Sequence, residues 1–229
     1  MENLSFGIVS LGANLPSAAG DAVHSLREAL DILHGEPDIS IAAISRIWRT
    51  PAVPAGSGPD YANAAAVIRT ALAARHLLDR LHGIEAHFGR DRSTGRWSAR
   101  VLDLDLIALD DLILPDAATL RRWIGLDPAS QQTTAPDHLI LPHPRMQDRG
   151  FVLAPLAEIA PGWRHPLTDR TVSQMLAALG PDGLFAHEAA LAKALREELR
   201  NFNSVRLFGP DDSAGIVSFV MEGVHPHDL

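Results

Sequence analysis

WSARVLDLDLIAL, residues 97–109, ends in a run of aliphatic residues that only Asp103 and Asp105 interrupt. The two aspartates occupy alternate positions, and alternation is the period of a β-strand. Both carboxylates therefore point to one face, with their Cα atoms about 7 Å apart. Two like charges on a half-buried face are unfavourable unless a positive partner neutralises them. This stretch predicts a strand with a cationic partner on one side.

The segments around this strand predict a β-α-β-β-α-β order. Strands are expected over 5–14, over 38–50, in the core of 61–72 and over 101–109, and helices are expected over 17–34 and 73–88. That order is typical of the ferredoxin-like pattern. We therefore expect an α+β fold, an antiparallel sheet with helices packed on it, in a domain spanning residues 1–179.

Composition narrows the function classes. The chain has 229 residues, 46% of them hydrophobic, and a formal net charge of −8, which offers no general attraction for nucleic acid. It has no cysteine, which excludes disulfides, thiolate metal sites and a cysteine nucleophile. No apolar run reaches the roughly 18 residues of a membrane span, and the first residues do not resemble a signal peptide. We expect a cytoplasmic protein that contacts neither nucleic acid nor membrane.

A charged loop precedes the aspartate strand. Residues 89–100, GRDRSTGRWSAR, hold four arginines and one aspartate, a net charge of +3 in a chain whose total is −8. Arginine presents a fork of donors that fits phosphate oxygens in pairs. Carboxylates suit Mg²⁺, which in turn binds phosphates and neutralises adjacent acids. The adjacency favours a magnesium–nucleotide site for phosphoryl-type transfer.

Spacing alone leaves other interpretations open. An isolated pair of alternate aspartates also occurs on edge strands and in acid–arginine pairs. An arginine-rich loop is often simply a solvated loop. A glycosyltransferase that holds a nucleotide sugar with such a pair, and a non-catalytic binding module on the same fold, are the alternative functions.

Longer motifs make the pattern specific. Six motifs occur in this order along the chain: SLGANLP (10–16), WRTPAV (48–53), PDYANAA (59–65), IEAHFGR (84–90), RWSARVLDLDLIAL (96–109) and LILPHPRMQDRGFVLAPLAEIAP (139–161). In this order the motifs resemble the 6-hydroxymethyl-7,8-dihydropterin pyrophosphokinases, over about residues 5–175. The resemblance implies transfer of the β,γ-pyrophosphoryl group of ATP to the hydroxymethyl oxygen of the pterin, with release of AMP, in folate biosynthesis.

The resemblance also implies the catalytic residues and the metal. Asp103 and Asp105 would hold two Mg²⁺ ions that bridge the triphosphate. Arg90 and Arg100 would neutralise the charge that develops as the bond to the α-phosphate breaks.

Nucleotide contacts are implied for five further residues. Arg92 and Trp97 belong to a loop that closes over both substrates in the family. The ATP-binding set is Glu85, Arg92, Trp97, His143 and Arg149. By itself His143, between two prolines, is equally well read as a turn histidine, and Glu85 is poorly placed for the dipole of its helix.

The pterin pocket is implied by residues from other loops. Tyr61 and Phe151 would sandwich the flat heterocycle, and Asn63 would bind its amino-pyrimidinone edge. Backbone groups of Thr50, Pro51 and Val53 would complete the recognition. Without the resemblance, the two aromatic residues would be read as core residues.

Several positions depart from the family pattern. Ser93 stands where many members have a basic residue, Pro144 where some have an aromatic residue, and His82 where a glutamine is expected. Residues 115–138 are longer than the usual link. None of these changes removes a metal ligand or a main arginine, so we expect activity, with nucleotide affinity the property most affected.

Residues 180–229 are expected to form a short α/β appendage, a helix followed by two short strands. They resemble a fragment of the small C-terminal domain of sulfur-mobilising cysteine desulfurases. Desulfurase chemistry is excluded because the chain has no cysteine. We expect a monomer, with this appendage as the segment through which association could occur.

Overall fold

A computed structural model describes residues 4–50, 58–89, 101–127, 130, 134 and 136–180, and the backbone of 205–208 and 218–221. The chain divides into two compact units, residues 1–178 and 179–229. Arg90, Arg92, Trp97, Arg100, Pro51 and Val53 lie outside the described residues, as does Ser93.

The first unit contains one open antiparallel sheet. Its elements are β1 (Ser5–Ala13), α1 (Ala22–Gly35), β2 (Ile39–Ile44), β3 (Trp48–Thr50), β4 (Tyr61–Thr70), α2 (Ala74–His87) and β5 (Asp103–Leu109). The sheet order is β2-β4-β1-β5, and β3 also pairs with β4. Every pair is antiparallel. The predicted α+β, ferredoxin-like arrangement is confirmed.

The strand predicted over 38–50 is divided into β2 and β3. At the interruption Ser45 stays bonded to β4, because its Oγ accepts a hydrogen bond from Ala65 N and its N donates to Ala65 O, both at 2.9 Å. The predicted first helix begins later than expected, at Ala22. Asp21 caps it by accepting a hydrogen bond from His24 N at 3.0 Å.

The two faces of the sheet are covered by different helices. Helices α1 and α2 pack on the face formed by Val9, Leu11, Ala64 and Leu104. A further helix, α4 (Gly150–Ile159), packs on β4, and its core-facing residues Val152, Leu153 and Leu156 are buried. Alternation along the strands assigns Ile8 and Val67 to this second face.

The long link over 115–138 contains a helix that the sequence pattern did not predict. Helix α3 spans Ala117–Ile124 and is capped by Asp116, whose Oδ1 accepts hydrogen bonds from Ala118 N and Thr119 N at 2.9 Å. Its one buried anchor among the described helix residues is Leu120. A single apolar contact every two turns is too weak a pattern to identify a helix from sequence.

The second unit contains a two-stranded antiparallel sheet. Strands β6 (Val205–Phe208) and β7 (Ser218–Met221) pair with Val205 opposite Met221. Two short strands were predicted there, whereas the helix expected before them lies outside the described residues. The resemblance of this unit to a desulfurase fragment stays a prediction. Among the described residues, no helix has the length and apolar character needed to cross a membrane.

A buried histidine follows α4. His165 is 1% exposed, and its Nδ1 accepts hydrogen bonds from Leu167 N at 3.1 Å and Thr168 N at 3.4 Å. Burial holds the pKa of His165 below its ordinary value of 6.5. The folded protein therefore keeps this imidazole neutral at a pH where the unfolded chain has begun to protonate it.

This linkage predicts acid sensitivity. The contribution of His165 to the free energy of unfolding is complete above about pH 6.5, and it is lost as the pH falls from there towards the lower folded-state pKa. Urea unfolding at about pH 7 and about pH 5 should show a smaller acid-induced loss in His165→Asn than in the wild type. The Asn Oδ1 preserves the acceptor without titrating. The matched control is His76→Asn at an exposed position; an equal change in both variants would contradict the assignment.

Candidate active site

One row of directly opposed residues crosses the end of the sheet. Trp48 on β3 lies opposite Asn63 on β4, Asn63 lies opposite Gly12 on β1, and Gly12 lies opposite Asp103 on β5. Opposed residues of an antiparallel pair project to the same face. Asn63 and Asp103 thus flank a position that has no side chain.

The next row on this face completes the carboxylate pair. Ser10 on β1 lies opposite both Ala65 and Asp105. Asp103 and Asp105 share the face that α4 covers farther along the sheet, as their alternation predicts. The Asp105 side chain is 35% exposed, so this end of the face remains open to solvent.

The two alternative interpretations of the aspartate pair, an edge strand and an acid–arginine pair, both describe part of what the structure shows. Strand β5 lies at the edge of the sheet. Arg149 Nη1 donates a hydrogen bond to Asp105 Oδ2, at 3.3 Å. Charge-assisted bonds of this type normally measure about 2.7–2.9 Å. Among the described residues this is the one hydrogen-bond contact of the Asp105 side chain, and it uses only a small part of the acceptor capacity of the carboxylate.

Glu85 supports the strand between the two aspartates. It is 1% exposed, and its Oε1 accepts a hydrogen bond from Leu104 N at 2.9 Å. An edge strand otherwise presents such N–H groups unpaired. The structure therefore explains a buried glutamate near the end of α2 through a backbone contact. Its predicted contact with ATP stays a prediction.

His143 is held against the same edge. Its backbone N donates to Ile107 O at 2.7 Å, and its Nδ1 accepts from Arg145 N at 3.1 Å. Burial, followed by the positive charges of Arg149 and Arg145, lowers the pKa of His143 to about 3. The imidazole is neutral at pH 7, and because Nδ1 is an acceptor, the proton is assigned to Nε2.

Arg149 and Phe151 stand at the start of α4. The Arg149 guanidinium carbon lies 5.6 Å from the centre of the Phe151 ring, a cation–π contact. Phe151 is 41% exposed, although phenylalanine is usually buried. Arg149 thus contacts an aspartate of the edge strand and an exposed aromatic ring.

The pterin-side residues meet on β3 and β4. Asn63 is 4% exposed, and its Nδ2 donates to Thr50 Oγ1 at 2.6 Å. Thr50 lies opposite Tyr61 in the register of the two strands. A Cβ added at Gly12 would stand 3.1 Å from Asn63 Oδ1. The amide is therefore fixed in orientation, with its oxygen beside Gly12.

The described residues contain no cluster of three or more His, Asp or Glu side chains that could hold a metal ion. Asp103 and Asp105 would therefore supply only part of a coordination shell. Mg²⁺ commonly takes one or two carboxylates and completes its shell with water and substrate phosphates. A partly open carboxylate pair fits that pattern.

Gly12 was not predicted as a site residue, although it lies in the SLGANLP motif (10–16). A glycine inside an otherwise strand-forming run is a signal for close approach of a ligand or of another backbone. Its position between Asn63 and Asp103 is set by strand register, which sequence spacing did not reveal.

The role of Glu85 predicts a difference between two substitutions. Glu85→Ala leaves the buried Leu104 N–H unpaired, which costs about 1–3 kcal/mol in free energy of unfolding. Glu85→Gln keeps an acceptor and should lose clearly less, as measured by thermal and urea unfolding. Asp79→Ala, at an exposed position of the same helix, serves as control. Equal losses in the Ala and Gln variants would show that the charge, and not the acceptor, is what the strand requires.

Comparison with known proteins identifies the family of this chain. The model of the 7,8-dihydro-6-hydroxymethylpterin-pyrophosphokinase family matches residues 8–161. A 2-amino-4-hydroxy-6-hydroxymethyldihydropteridine pyrophosphokinase from Synechocystis is 35% identical over 169 residues, 74% of this chain and 73% of the relative. The enzyme of the same name from Methylorubrum extorquens is 34% identical over 176 residues, 77% of this chain and 94% of the relative.

A solved structure shows the same fold. The chain superposes on wild-type HPPK-DHPS of Plasmodium falciparum with a TM-score of 0.56 and 13% sequence identity. The match covers 95% of this chain but 46% of that one, so the chain spans less than half the length of that structure. The family match and the two curated relatives together show that the chain belongs to the 7,8-dihydro-6-hydroxymethylpterin-pyrophosphokinase family and is an ATP-dependent pyrophosphokinase.

Proposed function

We propose that the end of the sheet around Asn63, Gly12 and Asp103 is where this chain transfers pyrophosphate from ATP to 6-hydroxymethyl-7,8-dihydropterin, releasing AMP. One observation carries the proposal. The register places a fixed amide on one side of a glycine and a carboxylate pair on the other. A flat heterocycle bound at the amide thereby has room to lie beside a phosphate bound at the carboxylates.

The pterin half consists of an amide and aromatic surfaces. Asn63 hydrogen-bonds the amino-pyrimidinone edge of the pterin. Its contact with Thr50 orients the Asn63 amide for this role. Tyr61 and Phe151 cover the two faces of the ring, and the exposure of Phe151 leaves its face available. Backbone groups of Thr50, Pro51 and Val53 complete the pocket.

The nucleotide half surrounds the carboxylates. Asp103 and Asp105 would hold the two Mg²⁺ ions expected for this reaction, and Mg²⁺ there would supply positive charge to offset that of the phosphates. Arg90 and Arg100 neutralise charge at the transferring group, and Arg92 and Trp97 close over the nucleotide. Glu85, His143 and Arg149 complete the nucleotide contacts.

The described residues have separate tasks in this scheme. Neutral His143 presents Nε2–H as a donor to an anionic oxygen without adding a charge. The bond to Asp105 uses one N–H group of the Arg149 guanidinium, and the remaining N–H groups can donate to a phosphate. A guanidinium can bind a phosphate through two parallel hydrogen bonds. Glu85 keeps β5 in place, so that both aspartates retain their direction.

The chain's partners are proposed to be these two small molecules. A monomer in the cytoplasm, without nucleic acid or membrane contacts, agrees with the net charge of −8 and with an open site that lies within one unit.

Replacing one carboxylate tests the function. Asp105→Asn keeps the shape of the side chain and removes its charge, so pterin-dependent formation of AMP should fall by roughly two orders of magnitude. Separation of nucleotide products would measure AMP and ADP after incubation with ATP, Mg²⁺ and the pterin. Asp169→Asn, at an exposed turn, should behave like wild type. ADP as the product, or no AMP from folded wild-type protein, would refute the proposal.

The space at Gly12 gives a second test. In Gly12→Ala the added Cβ stands 3.1 Å from Asn63 Oδ1 and intrudes between the two halves of the site. KM for the pterin should rise roughly tenfold or more, as measured by steady-state kinetics.

The matched control is Gly83→Ala, because a Cβ there meets nothing within 4 Å. An unchanged KM in Gly12→Ala would show that the substrate does not pass over this position.

A further inference from the structure

Arg145 is a partly buried cation. It lies in the turn between His143 and α4, and its Nε is buried with no hydrogen bond. Within the described residues its side chain makes no ion pair, and only its backbone N and O form hydrogen bonds. No role was assigned to Arg145 by the sequence interpretation.

The turn brings Arg145 close to the nucleotide half. Asp148 N donates to Arg145 O at 3.2 Å, and Arg149 N donates to Met146 O at 3.3 Å, which coils residues 145–149 tightly. Arg145 N also donates to Nδ1 of His143. Arg145 therefore adjoins two residues that the proposed function places on ATP.

The charge around this turn is unbalanced. Burial lowers the pKa of Arg145, and the positive charge of Arg149 lowers it further, against an opposing contribution from Asp148. Two guanidinium groups within electrostatic reach of each other are unfavourable in a half-buried setting. An anion shared by both would remove the repulsion and would also satisfy the buried donor.

We propose that Arg145 is a further phosphate-binding residue, which acts together with Arg149 on the triphosphate of ATP. The proposal rests on the proposed function, since the anion is the nucleotide of that reaction. A polyphosphate matches the arrangement because it offers several oxygens to two adjacent guanidinium forks. An ordered water between Arg145 and the buried, unpartnered Oε1 of Gln147 is the structural alternative, and it would make Arg145 a residue of the turn only.

The test compares ligands with and without phosphates. Calorimetry with Mg²⁺ would measure binding of α,β-methylene-ATP, of adenosine and of the pterin to wild type, Arg145→Met and Arg145→Lys. Arg145→Met should bind the triphosphate roughly tenfold more weakly, with unchanged affinity for adenosine and pterin. Arg145→Lys should recover part of the loss, and the salt dependence of triphosphate binding should be shallower in the Met variant.

The control is Arg75→Met, which removes an exposed arginine from α2. If Arg145→Met binds the triphosphate like wild type, or loses stability and all ligands alike, the inference is overturned. If the Met variant does not fold, the comparison of Arg145→Lys with wild type decides. Formation of AMP by the wild type distinguishes the proposed function from the role of Arg145. If the wild type forms AMP and Arg145→Met binds the triphosphate normally, only the role of Arg145 is rejected.

Discussion

The register that sets Gly12 opposite both Asn63 and Asp103 is the constraint on which the site depends. Side chains alternate along a strand, so a shift of one residue would turn Asp103 and Asp105 towards α1 and α2. Leu102, Leu104 and Leu106 prevent that shift, because each is buried on the helix side. The hydrophobic core thus determines where the charges point.

Strand β5 lies at the edge of the sheet, so its outer N–H and C=O groups have no neighbouring strand to pair with. Two neighbouring residues supply hydrogen-bond partners for two of these groups. Glu85 accepts from Leu104 N, and the backbone N of His143 donates to Ile107 O. Both contacts come from outside the sheet and lie beside the aspartates. Two outer backbone groups of an edge strand that carries two like charges are thereby satisfied, while its open face remains available to ligands.

Sequence pattern predicted the elements that have a strong period and missed the contacts that depend on tertiary structure. The alternation of Asp103 and Asp105 was sufficient to predict their common face, and the helical spacing in 73–88 was sufficient for α2. The bond from Leu104 N to Glu85 and the pair of Arg149 with Asp105 join residues 19 and 44 positions apart, and no local spacing encodes them. Arg145 was overlooked for the same reason, since its surroundings exist only after the turn has formed. The identification of Tyr61, Asn63 and Phe151 as site residues depended on motif resemblance, because without it the two aromatic residues would be interpreted as core residues.

Helix α4 links the two halves of the site mechanically. At its start, Arg149 contacts Asp105 on the nucleotide side and Phe151 on the pterin side. At its end, Glu158 accepts three hydrogen bonds from Arg46, one from the backbone N at 2.9 Å and two from the guanidinium at 2.8 and 2.6 Å. Arg46 in turn lies over the ring of Trp48, which belongs to the row that contains Asn63. A displacement of α4 would therefore move Phe151, the proposed aromatic cover of the pterin, together with Arg149, the arginine beside the carboxylates. Since one helix carries both groups, the proposed function implies that the packing of α4 on the sheet influences the distance between the two substrates, and that the far end of the helix contributes to it through Glu158.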